Sequence, residues 1–158
     1  MKSLIIYTSI HNGNTEKVAH TIGSVLSADV SKLGKATAED VRKADLVGFG
    51  SGIYFSTFHK GLIKFIDELP KMDGKKVFIF STSGLRKGSF LNRGHRHIKR
   101  RLKNKGFQVI GEFDCRGYDA FGPLSFLGGL NKGKPDKMDL KNAEKFSQKI
   151  LKEQKADY

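Results

Sequence analysis

Short apolar runs alternate along this chain with longer segments whose apolar residues recur every three or four positions. The run "SLIIY" (Ser3–Tyr7) is nearly continuous, the pattern of a strand covered on both faces. From Asn14 to Leu26, Val18, Ile22, Val25 and Leu26 fall on one face of a helix. "ADVSKL" reads as a short second strand and "ADLVGFGS" (Ala44–Ser51) as a third. Phe58, Leu62, Phe65, Ile66 and Leu69 mark a helix that Pro70 stops. "KKVFIFSTSG" (Lys75–Gly84) is a fourth strand, and His95–Lys105 a helix with a thin stripe at Ile98 and Leu102. "FQVIGEFDC" (Phe107–Cys115) is a fifth strand. Asp139 then caps a last helix carrying Leu140, Ala143, Phe146 and Ile150.

Strands alternating with helices predict an α/β fold: a three-layer, doubly wound parallel sheet of five strands. In such sheets the ligand lies outside the carboxyl ends of the strands, where strand order reverses. Strands one, three and four all end in Gly/Ser/Thr/Asn loops, so one site built from three loops is expected. At 158 residues, with 38% hydrophobic content and neither linker nor repeat, residues 1–158 read as a single folded domain. The N-terminal run is too short for a signal peptide, and no segment has the length and apolarity of a membrane span. One cysteine, Cys115, excludes an internal disulfide and a CxxC site, which suits a reducing cytoplasm.

The first loop, "SIHNGNTE" (Ser9–Glu16), runs straight into a helix N-terminus, whose unpaired N–H groups and partial positive charge suit a phosphate. Ser9, His11, Asn12, Asn14 and Thr15 add polar side chains, and Gly13 allows close backbone approach. No Walker lysine and no GxGxxG are present, which argues against ATP, GTP or NAD at this loop. In the window "IHNGNT" (Ile10–Thr15), the chain resembles the flavodoxin family, whose phosphate loop is T/S-x-T-G-N-T. Gly13, Asn14 and Thr15 match, while Ile10 and Asn12 replace hydroxyl residues and shift the expected grip toward backbone N–H groups.

The resemblance spans the whole strand–helix order and implies strand order 2-1-3-4-5 and non-covalently bound FMN. It also implies flavin contacts from a second loop, Ser51, Gly52, Ile53, Tyr54 and Phe55, and a third, Thr82, Ser83 and Gly84. In the second loop Tyr54 is the side chain expected to stack on the ring. The third loop has no aromatic before Phe90, which leaves the outer ring face open to a substrate or donor. A glycine-rich stretch, Cys115–Pro135, resembles a tail loop of some flavodoxin-like proteins; its Tyr118 and Phe121 either close over the site or fold back on the core. No catalytic or metal-ligating residue is indicated: the five histidines lack ligand spacing, and no Ser-His-Asp order or carboxylate pair suggests hydrolysis.

Charge changes this picture. Of 29 Lys and Arg against 16 Asp and Glu, residues 74–111 hold 11 basic side chains and no acid, nearly the whole net charge of +13. That stretch is either a solvated face or a docking surface for an acidic partner. Nucleic acid is disfavoured, because aromatics are not interleaved with the charges and no reading motif is present. Flavodoxins are usually acidic, so the basic stretch from Arg86, Lys87 and Arg93 departs from the family. It predicts that reduction of a bound flavin, which adds negative charge, occurs at a less negative potential. The resemblance thus implies an electron-transfer protein shuttling electrons between redox partners. The alternative is an FMN-dependent oxidoreductase of NAD(P)H:quinone or protoporphyrinogen-oxidase type. A basic module binding an acidic macromolecule without redox chemistry is a third reading.

Overall fold

The near-continuous apolar runs form the centre of a parallel sheet in the computed structural model, which describes residues 1–10, 12–84, 89–118, 129 and 132–156. The strands are β1 (Ser3–Thr8), β2 (Asp29–Lys32), β3 (Leu46–Tyr54), β4 (Thr57–Phe58), β5 (Lys76–Ser83) and β6 (Gln108–Arg116). The helices are α1 (Asn14–Leu26), α2 (Ala38–Lys43), α3 (Lys60–Glu68), α4 (Ser89–Asn104) and α5 (Lys137–Ala156). The sheet order is β2-β1-β3-β5-β6, all parallel, with β4 antiparallel to the end of β3. With β4 set aside, this is the expected 2-1-3-4-5 arrangement.

Alternation along each strand divides the core into two layers. Leu4, Ile6, Val47, Phe49, Val77 and Ile79 face one way and pack with Leu62, Ile66, Ile98 and Leu102 of α3 and α4. Ile5, Tyr7, Leu46, Phe78 and Phe80 face the other way and meet Val18 and Ile22 of α1 and Ala143 and Ile150 of α5. On this second face β3 carries glycines opposite the large rings of β5: Gly48 pairs with Phe78 and Gly50 with Phe80. A Cβ on Gly50 would lie 2.0 Å from Cζ of Phe80, and one on Gly48 would lie 2.3 Å from Cζ of Phe78. The "GFG" of β3 therefore makes room for two buried aromatic rings.

Three local expectations need correction. Phe58 lies in β4 and not in the following helix, because a tight turn at Phe55–Ser56 reverses the chain first. Asp139 is not the cap of α5: Asp136 precedes the helix and accepts from the Asp139 N–H at 3.0 Å, while its own N–H donates to Asp139 at 2.9 Å. This reciprocal arrangement satisfies two helix-end donors. Helix α2 was not expected; a capping box between Thr37 and Asp40 starts it, and Val41 is its one buried residue.

Candidate functional site

Strands β1, β3 and β5 end side by side, with Thr8 paired to Ser51 and Gly52 to Thr82. Their loops therefore converge at the carboxyl edge of the sheet, beside the reversal between β1 and β3. At the first loop, Gly13 takes a left-handed conformation (φ 65°) as N-cap of α1 and supplies no side-chain cap. Asn12 is also left-handed, at φ 56°. The helix thus begins without the usual side-chain acceptor for its free N–H groups. Two buried oxygens beside it, Oγ of Ser9 and Oδ1 of Asn14, have no hydrogen-bond partner.

The loop is tied on three sides. Oγ1 of Thr15 and Oγ1 of Thr82 lie 2.9 Å apart in a buried hydrogen bond that joins the first and third loops. Nδ2 of Asn14 donates to the Tyr118 carbonyl at 2.7 Å, and Nδ2 of Asn12 donates to the same oxygen at 3.0 Å. Both amide nitrogens, read from sequence as ligand donors, thus each spend one of their two N–H groups on the segment after β6. Gly117 packs so closely that a Cβ there would lie 2.5 Å from Nδ2 of Asn14, and its N–H donates to the Ser83 carbonyl at 3.0 Å. Gly117 and the Tyr118 carbonyl reach this candidate site through the backbone; the sequence pointed to Tyr118 only for its side chain, since a carbonyl's role leaves no trace in residue identity. His11, Arg86, Lys87 and Phe121 lie outside the described residues.

Glu16 places a carboxylate in the first turn of α1, with one of its oxygens engaged from the side. Its Oε1 accepts from the Tyr7 hydroxyl at 2.7 Å and lies 3.6 Å from Nζ of Lys32. The Tyr7 hydrogen bond, with help from Lys32, holds its pKa below the ordinary value. Burial, reinforced by Glu16, pushes the Tyr7 hydroxyl up to about 12. The carboxylate is therefore ionised at neutral pH; Tyr7 and Lys32 engage Oε1, while Oε2 stays near the helix end, 3.8 Å from where a Cβ on Gly13 would lie.

In the second loop, Oγ of Ser51 donates to the Gly52 carbonyl at 2.6 Å and accepts from the His59 N–H at 2.9 Å, which fixes β3 against the start of α3. Ile53 packs on the α3/α4 core, so only its backbone is available to a ligand. The half-buried Tyr54 meets the His59 ring edge-on, and its hydroxyl lies over Gly52, 2.7 Å from where a Cβ would be. Phe55 is wholly exposed. Thr82 and Ser83 are buried, and Gly84 forms a bend at the end of β5.

Beneath the third loop lies an array that sequence reasoning did not find. Oγ of Ser81 is 2.7 Å from Nε2 of His95, and Nδ1 of His95 is 3.0 Å from Oε2 of Glu112, which also pairs with Lys99 at 3.0 Å. These distances resemble a nucleophile–base–orienter series, but Ser81 has no exposed surface and cannot meet a substrate. The array instead ties α4 to β5 and β6. Burial and the nearby acids Asp139 and Asp114 push the Cys115 thiol up to about 12. The thiolate is the reactive form, so alkylation of the folded protein at pH 8 is expected to be at least about tenfold slower than in denaturant. A thiol-reagent time course measures this; equal rates would contradict the shielding of this half-buried thiol.

Residues 4–121 match the sequence pattern of a family described as the flavodoxin domain. The chain belongs to the flavodoxin family. Members of that family bind flavin, usually FMN. This flavodoxin-domain chain is also 46% identical over 153 residues to an uncharacterized protein of Methanocaldococcus jannaschii, an alignment covering 96% of this chain and 99% of that one. Among solved structures it is similar to a flavodoxin from the domain Archaea (TM-score 0.71, 18% identity, 97% of this chain and 98% of that chain). It is also similar to oxidised flavodoxin 2 from Bacillus cereus (TM-score 0.72, 20% identity, 97% and 99%). At those identities the likeness is one of fold.

The site suits a flavin phosphate on its own terms. An uncapped helix end, a left-handed glycine and the buried Ser9 hydroxyl, which has no partner and can donate, lie together at the carboxyl edge of the sheet. Among the described residues no helix is long and apolar enough to cross a membrane.

Proposed function

We propose that this flavodoxin-domain protein binds FMN and shuttles electrons between redox partners, acting as one domain in the reducing cytoplasm. The observation that carries the reading is the uncapped N-terminus of α1, with Gly13 at φ 65° and the unpartnered Ser9 hydroxyl beside it. N–H groups of Asn14, Thr15 and Glu16 would hold the phosphate, and the Ser9 O–H would donate to it. Backbone groups of Ser51–Phe55 and Thr82–Gly84 would surround the ring. FMN, when bound, supplies one- and two-electron chemistry, and the protein supplies position, exclusion of water and electrostatics. The Thr15–Thr82 bond and the Asn14–Tyr118 tie keep the loops in register for that task.

The electrostatics favour partners with an acidic docking face. Part of the basic stretch is neutralised by acids from outside it, Lys99 by Glu112 and Arg101 by Asp67. Arg96 and Arg100 have no ion-pair partner among the described residues, and both are exposed. Such cations attract an acidic partner and favour the negative charge that reduction brings to the site. The second-electron potential of bound FMN is accordingly expected to be less negative than in an acidic flavodoxin, and to fall as salt screens the field. A spectroelectrochemical titration at low and high ionic strength reads both effects. A potential as low as that of an acidic flavodoxin, unmoved by salt, would contradict them.

An anaerobic NAD(P)H titration of FMN-loaded protein tests the function. A carrier accepts electrons from a reductase or a chemical reductant but does not turn over NAD(P)H. The second reading, an oxidoreductase of NAD(P)H:quinone or protoporphyrinogen-oxidase type, is favoured by one observation: a groove of about 490 Å³ adjoins the second flavin loop. Direct, catalytic oxidation of NAD(P)H with a quinone acceptor would establish that reading instead.

A further inference from the structure

The groove next to the second loop has features that the flavin seat does not use. β3 and β4 form a hairpin in which Ile53 pairs with Phe58 and Tyr54 with Thr57, leaving Phe55 and Ser56 as a two-residue turn. Both turn residues have positive φ, 48° and 64°. Such a turn ordinarily takes Asn-Gly, and each non-glycine residue held there costs on the order of 1 kcal/mol. The strained turn holds the Phe55 ring at 101% relative exposure, touching no core. Strain of this kind is concentrated at ligand sites.

Helix α4 forms the opposite wall. A Cβ on Gly94 would lie 3.1 Å from the Ser56 carbonyl, so the helix approaches the turn closely at this glycine. Beyond it, Arg93, Arg96 and Arg100 share one helix face and line the groove with Phe55. The groove's cations are all arginines, whose planar forks match phosphate oxygens in pairs. His97, the remaining groove base, accepts a hydrogen bond from Nε of Arg101 at 3.3 Å on its Nε2. Burial, then the charges of Arg101 and Arg100, hold its pKa below the ordinary value. The groove's volume, about 490 Å³, falls in the range of small-molecule sites.

We propose that this groove binds a nucleoside phosphate, with the base stacked on Phe55 and the phosphates held by Arg96 and Arg100. An exposed aromatic ring and a row of guanidinium groups are the two elements that such a ligand needs, and neither belongs to the flavin phosphate seat. Bound there, a nucleotide adjoins the second flavin loop.

The chain contains no tryptophan, so Phe55→Trp gives a single fluorescent reporter at the mouth of the groove. The full-length variant, saturated with FMN and separately without it, is titrated with ATP, adenosine and inorganic tripolyphosphate. Calorimetry of the wild-type protein with ATP runs in parallel and does not depend on the reporter. Saturable binding of ATP is expected, at least about tenfold tighter than either fragment because base and phosphates contribute together. Arg96→Gln with Arg100→Gln should abolish it, and Phe55→Ala should weaken it by about tenfold. Absence of ATP binding in both measurements would overturn the proposal, as would tripolyphosphate binding as tightly as ATP. Displacement of ATP by polyglutamate at a lower concentration than by a second nucleotide would also overturn it, since the groove would then serve an acidic polypeptide. Failure of FMN to bind, with ATP binding intact, would count against the flavin reading alone.

Discussion

Asn14→Asp is expected to weaken FMN binding by about two orders of magnitude while leaving the fold intact. Asn14 is the first residue of α1, and its Nδ2 donates to the Tyr118 carbonyl at 2.7 Å. A carboxylate there sets oxygen against oxygen and releases the segment after β6 from the first loop. It also brings a negative charge to the helix end where the phosphate is to sit. At about 6 Å and an effective dielectric near 20, a unit charge pair is worth roughly 3 kcal/mol, or about a hundredfold in affinity. The fold should survive, because an acid in the first turn of a helix is favourable to the helix itself. Fluorescence titration with FMN and with riboflavin checks the assignment. Binding of FMN should fall much further than binding of riboflavin, which has no phosphate; an equal fall in both would mean that Asn14 supports the ring and not the phosphate.

Gly50→Val is expected to destabilise the protein more than any single loop substitution, by about 3 kcal/mol or more. Its Cβ would lie 2.0 Å from Cζ and 2.3 Å from Cε2 of Phe80, a ring with no exposed surface between the sheet and α1. The ring cannot retreat, because it stacks on Phe78, and the strand pairing fixes its backbone. Against a total stability of about 5–15 kcal/mol for a domain, such a loss is a large fraction of the whole. Combining Gly50→Val with Phe80→Ala should cost less than the sum of the two single changes, since the truncated side chain opens the required space. Gly34→Ala, where nothing lies within 4 Å, should cost only about 1 kcal/mol from its positive φ. Chemical denaturation of the four variants measures these differences; strict additivity at Gly50 and Phe80 would contradict the packing described.

How much of this was legible in the sequence depended on the range of the forces involved. The stripe Val18–Ile22–Leu26 gave α1 its observed bounds because one amphipathic face suffices to define a helix of 13 residues. Strand order followed from alternation of strands and helices, and the loop "NGNT" marked the end of β1. Helix α2, six residues with one buried side chain, is too short for periodicity to register. Strand β4 was hidden because its turn is Phe-Ser, where the usual signal is Asn-Gly. The contacts that shape the site were harder still. Ser81, His95 and Glu112 meet only because β5, α4 and β6 pack together, and the Asn14–Tyr118 tie spans 104 positions. The basic stretch looked unbalanced because its counter-ions, Asp67 and Glu112, lie on either side of it in sequence. Among the described residues, tertiary structure pairs Lys99 and Arg101 with those acids and places Arg93, Arg96 and Arg100 along the groove.

The central claim is that the N-terminus of α1 is a seat for the phosphate of FMN. Its most direct test compares the affinities of the wild-type protein for FMN and riboflavin under identical conditions. The account predicts FMN binding at least about a hundredfold tighter, reflecting roughly 3 kcal/mol or more from charge-assisted hydrogen bonds to the phosphate. Equal affinities would show that this helix end holds no phosphate and would contradict the account.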